Sequence, residues 1–237
     1  LEDLVFFYGS DGAMEAIDIL NDLTNDESHD VSIKWDGKVA LYYGRDENGE
    51  FRMGTKGNWN KNTPANSPQE IQDHILNAGK GEDFRGPLAK DLKHIFPYLE
   101  TSVPVNFKGF VMGDLLFSPI LSPKQTTKDG IQFTPNQVTY TVNQNSDIGK
   151  RVARAVCGFA LHVRFDAWNS DNQAPISNET VKLLNSSDVL VMGQSYASKA
   201  PKLNQGTLKR LSVIAKKNSG LVDDLIQKRK GMSDVSN

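Results

Sequence analysis

The stretch Val31-Ser32-Ile33-Lys34-Trp35-Asp36-Gly37-Lys38-Val39-Ala40-Leu41-Tyr42-Tyr43-Gly44-Arg45 decides how this chain is read. Its flanks are β-branched or aromatic, and its middle is Asp36-Gly37, a dipeptide suited to a tight hairpin turn. The pattern predicts two short strands around that turn. Lys34 then ends an apolar strand beside an acid and a glycine, and the glycine lets a ligand approach the backbone. A plain hairpin with a solvated lysine is the alternative, and the tetrapeptide Lys34-Trp35-Asp36-Gly37 leaves both open.

Working outward, a strand is expected near Phe51 to Thr55 and a polar loop over KGNWNKNTPANSP. Ser67-Pro68-Gln69-Glu70 then opens a helix, with Ser as N-cap, Pro at the first position and Glu at the third. A first helix is expected over Ala13 to Leu23 and another over Pro87 to Tyr98. FKGFVMGDLLF is a hydrophobic strand containing one acid, Asp114, and QVTYTV is a further strand. Asp147 to Val156 reads as a helix. In FALHVRF, strict alternation puts Phe159, Leu161, Val163 and Phe165 on one face and His162 and Arg164 on the other. A strand near Val189 to Met192 and two amphipathic helices from Gln205 to Lys230 complete the chain. These elements predict an α+β protein with largely antiparallel sheets flanked by helices. The expected division is a main domain over 1–200 and a C-terminal helical extension over 201–237.

With 237 residues, 38% hydrophobic and 24% charged, the chain can bury one large α/β core. No apolar run approaches the roughly 18 residues that span a bilayer, so no membrane partner is expected. The start LEDLVFFYGSDG lacks the basic and long apolar regions of a secretory signal. The single cysteine, Cys157, excludes an intrachain disulfide, and its setting AVCGFAL suits a buried, inert thiol. A net charge of −2 means that nucleic acid would need a local basic patch.

The motif series is similar to that of the covalent nucleotidyltransferases: ATP-dependent DNA ligases, RNA ligases and mRNA-capping enzymes. Lys34-Trp35-Asp36-Gly37 fits their Lys-x-Asp-Gly motif, whose lysine attacks the α-phosphate of a nucleoside triphosphate. Arg45 resembles the arginine that contacts the ribose. Thr55-Lys56-Gly57 resembles the next motif, and Val111-Met112-Gly113-Asp114-Leu115-Leu116 the third, with Asp114 for the family's glutamate. The segment ending Arg164-Phe165-Asp166 resembles the strand whose aromatic residue stacks on the base. The matches cover residues 31 to 168 in the family's order. IKWDGKVALYYGRDENGEF also looks like a group of tailed-phage proteins with this fold.

The resemblance implies a ligase-type adenylation fold, with Lys34 carrying AMP. Trp35, Asp36, Gly37, Arg45, Lys56, Asp114 and Phe165 would line the nucleotide pocket, with ATP and Mg2+ as cofactors and Asp114 at the metal. Burial and neighbouring cations would lower the lysine's pKa enough for attack, and carboxylates would hold the magnesium. Two motifs find no good match: they have drifted, lie beyond Asn237 or are gone. Asp188-Val189-Leu190-Val191 lacks the glycine of the fourth. Lys199 and Lys202 are the only candidates for the fifth, and residues three apart on a strand point to opposite faces. Slow or absent self-adenylation is therefore expected.

Other patterns are weaker. His29, His74, His94 and His162 have no metal-ligand spacing, and Lys228-Arg229-Lys230 reads as a solvated helix face. Trp59 and Trp168 read as packing residues. Phosphate-loop and GxGxxG patterns are absent. Two functions remain. One is an ATP-dependent polynucleotide ligase-like enzyme acting on nicked or single-stranded polynucleotide in an infected bacterial cytoplasm. The other is an inactive ligase-fold protein that meets other phage proteins as a structural or interaction component of the virion. A nucleotide-binding regulator lies between them.

Overall fold

The computed structural model describes residues 2–25, 32–33, 35–78, 82–193, 195–196 and 203–234. In chain order the first elements are α1 (Glu2–Asn25), β1 (Ser32–Ile33), β2 (Ala40–Arg45), β3 (Phe51–Thr55), α2 (Lys56–Asn60), α3 (Pro68–Leu76) and α4 (Glu82–Ser102). Then come β4 (Gly109–Phe117), β5 (Gln125–Thr127), β6 (Gly130–Phe133), β7 (Tyr140–Val142), α5 (Asp147–Arg154) and β8 (Cys157–Phe165). The last are β9 (Gln173–Pro175), α6 (Asn178–Leu184), β10 (Val189–Met192), β11 (Ser195–Tyr196), α7 (Gln205–Lys217) and α8 (Ser219–Asp234). The fold is α+β, as the element order predicts. No helix among the described residues is long and apolar enough to cross a membrane.

The chain forms two compact units, one from Leu1–Ile33 with Ser195–Asn237 and the other from Lys34–Gln194. In the first, α1 packs on α7 and α8, and β1 pairs antiparallel with β11, Ile33 opposite Ser195. The sequence reading placed α1 with the sheet; its contacts group it with the C-terminal helices. Helix α1 also starts well before Ala13, with a break at Gly9 (φ 61°, ψ −132°). There a side chain would meet the Asp223 carboxylate, which accepts hydrogen bonds from the Ser10 amide (2.7 Å) and hydroxyl (2.9 Å).

The second unit is built on a six-stranded sheet ordered β10-β8-β4-β2-β3, with β9 pairing the end of β8 beyond β10. Every pairing is antiparallel except β8 with β10. One face buries Leu41, Tyr43, Met53, Val111, Leu115 and Phe159 against α3 and α4, where Ile71, Leu92, Phe96 and Leu99 are fully covered. Phe51 meets Phe96 edge to face at 5.1 Å, an arrangement aromatic quadrupoles favour.

The helix predicted at Ser67 forms as expected. Ser67 accepts from the Glu70 amide at 3.2 Å, and Pro68 fills the first position, where no N–H is needed. Chemical denaturation should find Ser67→Ala about 1 kcal/mol less stable and Ser67→Asp nearly unchanged. Residues 56–60, expected to be loop, form the short helix α2. Asn58 makes it possible by accepting from the Thr55 amide (3.0 Å) and hydroxyl (2.8 Å). This seats Trp59 on Tyr42 with ring centroids 4.4 Å apart.

Two strand expectations need correction. The Asp36-Gly37 hairpin does not form, because β1 pairs with β11 and the segment after Gly37 pairs with β4 instead. The Lys38 amide donates to Leu115 O at 3.1 Å and the Leu115 amide to Val39 O at 3.0 Å. The hairpin is made by β2 and β3 around Asn48-Gly49, where Gly49 adopts φ 83° and Asp46 Oδ1 accepts from the Asn48 and Glu50 amides. The alternation of β8 also breaks. Gly113 opposes Leu161 and Met112 opposes Val163, leaving His162 as the extra residue of a bulge. Phe159 and Leu161 therefore face the helices, while Val163 and Phe165 join Tyr42, Trp59 and Phe110 on the other face.

That other face carries two apolar clusters. At the end of β4 near Phe117, the sheet β5-β6-β7 and α5 cover Leu116, Phe117, Ala160 and Leu190. The aromatic cluster of Tyr42, Trp59, Phe110 and Phe165 sits at the opposite end. Asp114 on β4 lies between Met112 of one cluster and Leu116 of the other. His162 on β8 lies likewise between Ala160 and Val163.

Candidate functional site

Gly37 is laid directly on β4. A side chain there would come within 2.5 Å of Leu115 O and 2.6 Å of the Asp114 Cβ, so no larger residue fits. Its amide points to Asp114 Oδ2 at 3.5 Å, a contact at the outer limit of a hydrogen bond. Two segments 77 residues apart, the Lys-x-Asp-Gly stretch and the acid-bearing strand, thus share one spot. Tyr140 from β7 fixes the segment further: its hydroxyl donates to Asp36 O (3.1 Å) and accepts from the Asp36 amide (2.8 Å). Its ring lies 5.1 Å from that of Trp35, which is half-buried.

The structure adds a residue that sequence reasoning missed. His162 Nε2 lies 3.2 Å from Asp114 Oδ2, with the two side chains 24% and 21% exposed. The bulge presents this imidazole to the strand beside it. Alternation along FALHVRF already put His162 on the face away from Phe159; its neighbour could be found only by pairing that strand with β4.

The other predicted residues scatter. Lys56 is exposed and opens α2 after Thr55, which pairs with Leu41, itself opposite Gly113. It therefore shares the Asp114 end of the sheet. Arg45 does not. It opposes Gly109, five residues along β4 from Asp114, about 17 Å away at strand rise. Its side chain also points to the helix-covered face, where Nε donates to Val103 O (3.0 Å), Nη1 to Gly49 O (2.9 Å) and Nη2 to Glu100 O (2.9 Å). The expected ribose contact is replaced by a structural clamp, since all three nitrogens are engaged. Phe165, expected to stack on a base, is 4% exposed and packed on Trp59 at 4.6 Å. Lys34, Lys199 and Lys202 lie outside the described residues.

Among the described residues, no group of three or more His, Cys, Asp or Glu side chains is arranged to hold a metal. Asp114 offers carboxylate oxygens and His162 a nitrogen aimed at one of them. Magnesium prefers one or two carboxylates with substrate phosphates and water completing its shell. Asp114 could give such an ion a single protein carboxylate, and the described residues form no all-protein cage around it. Cys157 is fully buried, and burial pushes its thiol well above the ordinary range, so it is no nucleophile.

These features define an α+β protein whose candidate site joins a Lys-x-Asp-Gly segment to an acidic strand of a largely antiparallel sheet. The chain belongs to DUF6267, a family of unknown function, whose match spans residues 1–234. No curated protein and no solved structure matches it.

Proposed function

We propose that the protein is an ATP-dependent, polynucleotide ligase-like nucleotidyltransferase. The observation that carries this reading is the seating of Gly37 on Asp114 and Leu115, which joins two motifs of the series far apart in sequence. The Lys34 amine, having lost its proton, would attack the α-phosphorus of ATP. A phosphorus–nitrogen bond forms, the bond to the β-phosphate oxygen breaks, and pyrophosphate leaves. The AMP would pass to a polynucleotide 5′-phosphate, and a 3′-hydroxyl would then displace it. Asp114 would orient the lysine and hold magnesium, which offsets charge on the triphosphate. Gly37 keeps the backbone clear beside it, and Lys56 supplies a cation at the same end of the sheet.

Incubation with α-phosphate-labelled ATP or GTP and magnesium, followed by a denaturing gel, tests this. With the fourth and fifth motifs unmatched, covalent label should build up only slowly, vanish in Lys34→Ala and fall in Asp114→Asn while the thermal midpoint stays nearly unchanged. A folded chain that takes no label from either nucleotide would overturn it. Such a result would favour the second reading, an inactive ligase-fold protein serving as a structural or interaction component of a phage particle. The commitment of Arg45 to backbone carbonyls and of Phe165 to packing speaks for that reading.

A further inference from the structure

A cavity of about 810 Å³ opens at the hairpin end of the six-stranded sheet. Asp46 and Glu47 come to it from the β2–β3 turn, Lys108 and Phe110 from the start of β4, and Asp166 and Trp168 from the segment after β8. Gly109, also in its wall, is five residues from Asp114 on β4, about 17 Å at strand rise, so this cavity is separate from the Gly37–Asp114 site. Its volume lies in the range of small-molecule and side-chain pockets.

The backbone around it is unusual. Gly109 (φ 94°) and Asn62 (φ 54°) line the cavity, Gly49 (φ 83°) shapes the adjoining turn, and Asn169 (φ 60°) follows Trp168. Left-handed conformations at non-glycine residues are uncommon and gather where a loop must hold a set shape. One wall is apolar: Trp168 meets Phe110 edge to face at 5.3 Å.

The charges are unbalanced. Three carboxylates and two cations line the cavity, and both cations are already occupied. Arg52 Nε donates to Asp46 at 3.2 Å and its Nη2 to Glu50. Lys108 Nζ donates to Glu47 O at 2.6 Å and reaches Asp46 O at 3.4 Å. Among the described residues no such cation lies against the Glu47 and Asp166 carboxylates. Asp166 is also held in place: its Oδ1 accepts from the Ala167 amide (2.8 Å) and its Oδ2 from Asn172 Nδ2 (2.9 Å). Hydrogen bonds from Ser170 and Asn172 keep its carboxyl below the ordinary range. A fixed anion beside an indole wall, with a second free carboxylate at the rim, repels a phosphate and attracts a cation with an apolar stem.

We infer that this cavity binds a guanidinium or alkylammonium group. Glu47 and Asp166 meet the charge, and Trp168 flanks the stem. The group is either the side chain of a basic peptide or a free amine. The full chain, labelled with 15N, is titrated with agmatine, with acetyl-Gly-Arg-Gly-amide and with the neutral acetyl-Gly-Gln-Gly-amide, following the Trp168 indole signal as assigned from Trp168→Phe. A saturable shift with both cationic probes, or with agmatine or the arginine peptide alone, supports the site. Agmatine alone identifies a free amine as the source, and the peptide alone identifies a protein partner. The double variant Glu47→Gln, Asp166→Asn replaces exposed side chains without changing their size and should weaken binding about tenfold. No saturable shift, an equal shift with the glutamine peptide, or undiminished affinity in the double variant would overturn the proposal. None of these results bears on labelling at Lys34, so the two readings fail separately.

Discussion

Arg45→Ala should lower the unfolding free energy by about 3 kcal/mol or more, as read by urea denaturation. Arg45 is 9% exposed, and its guanidinium satisfies three carbonyl oxygens. Two of these, on Glu100 and Val103, belong to the last turn of α4 and the residue after it, where helix carbonyls lack internal partners and attract positive charge. The third, on Gly49, belongs to the β2–β3 turn, so one side chain ties that turn to the end of α4. Alanine would strand the acceptors and leave a void beside Phe51, whose ring lies 5.9 Å from the guanidinium carbon. Arg45→Lys should recover little, because an ammonium lacks the planar fork that reaches three separate oxygens. Nucleotide labelling per folded molecule should be unchanged. An Arg45→Ala protein of normal stability that had lost nucleotide affinity would return the residue to the ligand site.

The second large effect is expected at Gly37. Alanine there would bring its methyl to 2.5 Å from Leu115 O and 2.6 Å from the Asp114 Cβ, both on a buried strand that cannot yield. The segment would lift, weakening the Lys38 and Val39 hydrogen bonds to Leu115. A cost of about 1–3 kcal/mol is expected for such overpacking. The displacement matters more for chemistry, since a misplacement of about 1 Å can cost roughly a hundredfold in rate. Gly37→Ala should therefore reduce self-labelling about a hundredfold while most of the protein remains folded. Labelling within a few-fold of the parent would show that this contact does not position the lysine.

The elements were largely legible and their partners were not. Strand β3 and the helix opened by Ser67 follow from local signals: alternation in one case, capping residues in the other. Asp36-Gly37 and Asn48-Gly49 carry the same local turn signal, yet only the second closes a hairpin. The difference lies in the strands β11 and β4, remote in sequence, that claim the residues flanking the first. The bulge at His162 was hidden for the same reason, because register is a property of two strands. Arg45 could have been placed better. It shares parity with Leu41 and Tyr43, both core residues, whereas Ala40, opposite Asp114, has the other parity. Alternation along β2 alone therefore sends Arg45 away from Asp114.

The pairing of Ile33 with Ser195 has a consequence for biosynthesis. The chain leaves the helical unit at one of these residues and returns at the other, so the sheet unit is an insertion held between two neighbouring positions. During translation α1 emerges first but must wait for α7 and α8, made some 180 residues later. The inserted unit carries its own core and can fold in that interval. A chain released after residue 194 should thus carry a folded sheet unit while its first helix still lacks its partners.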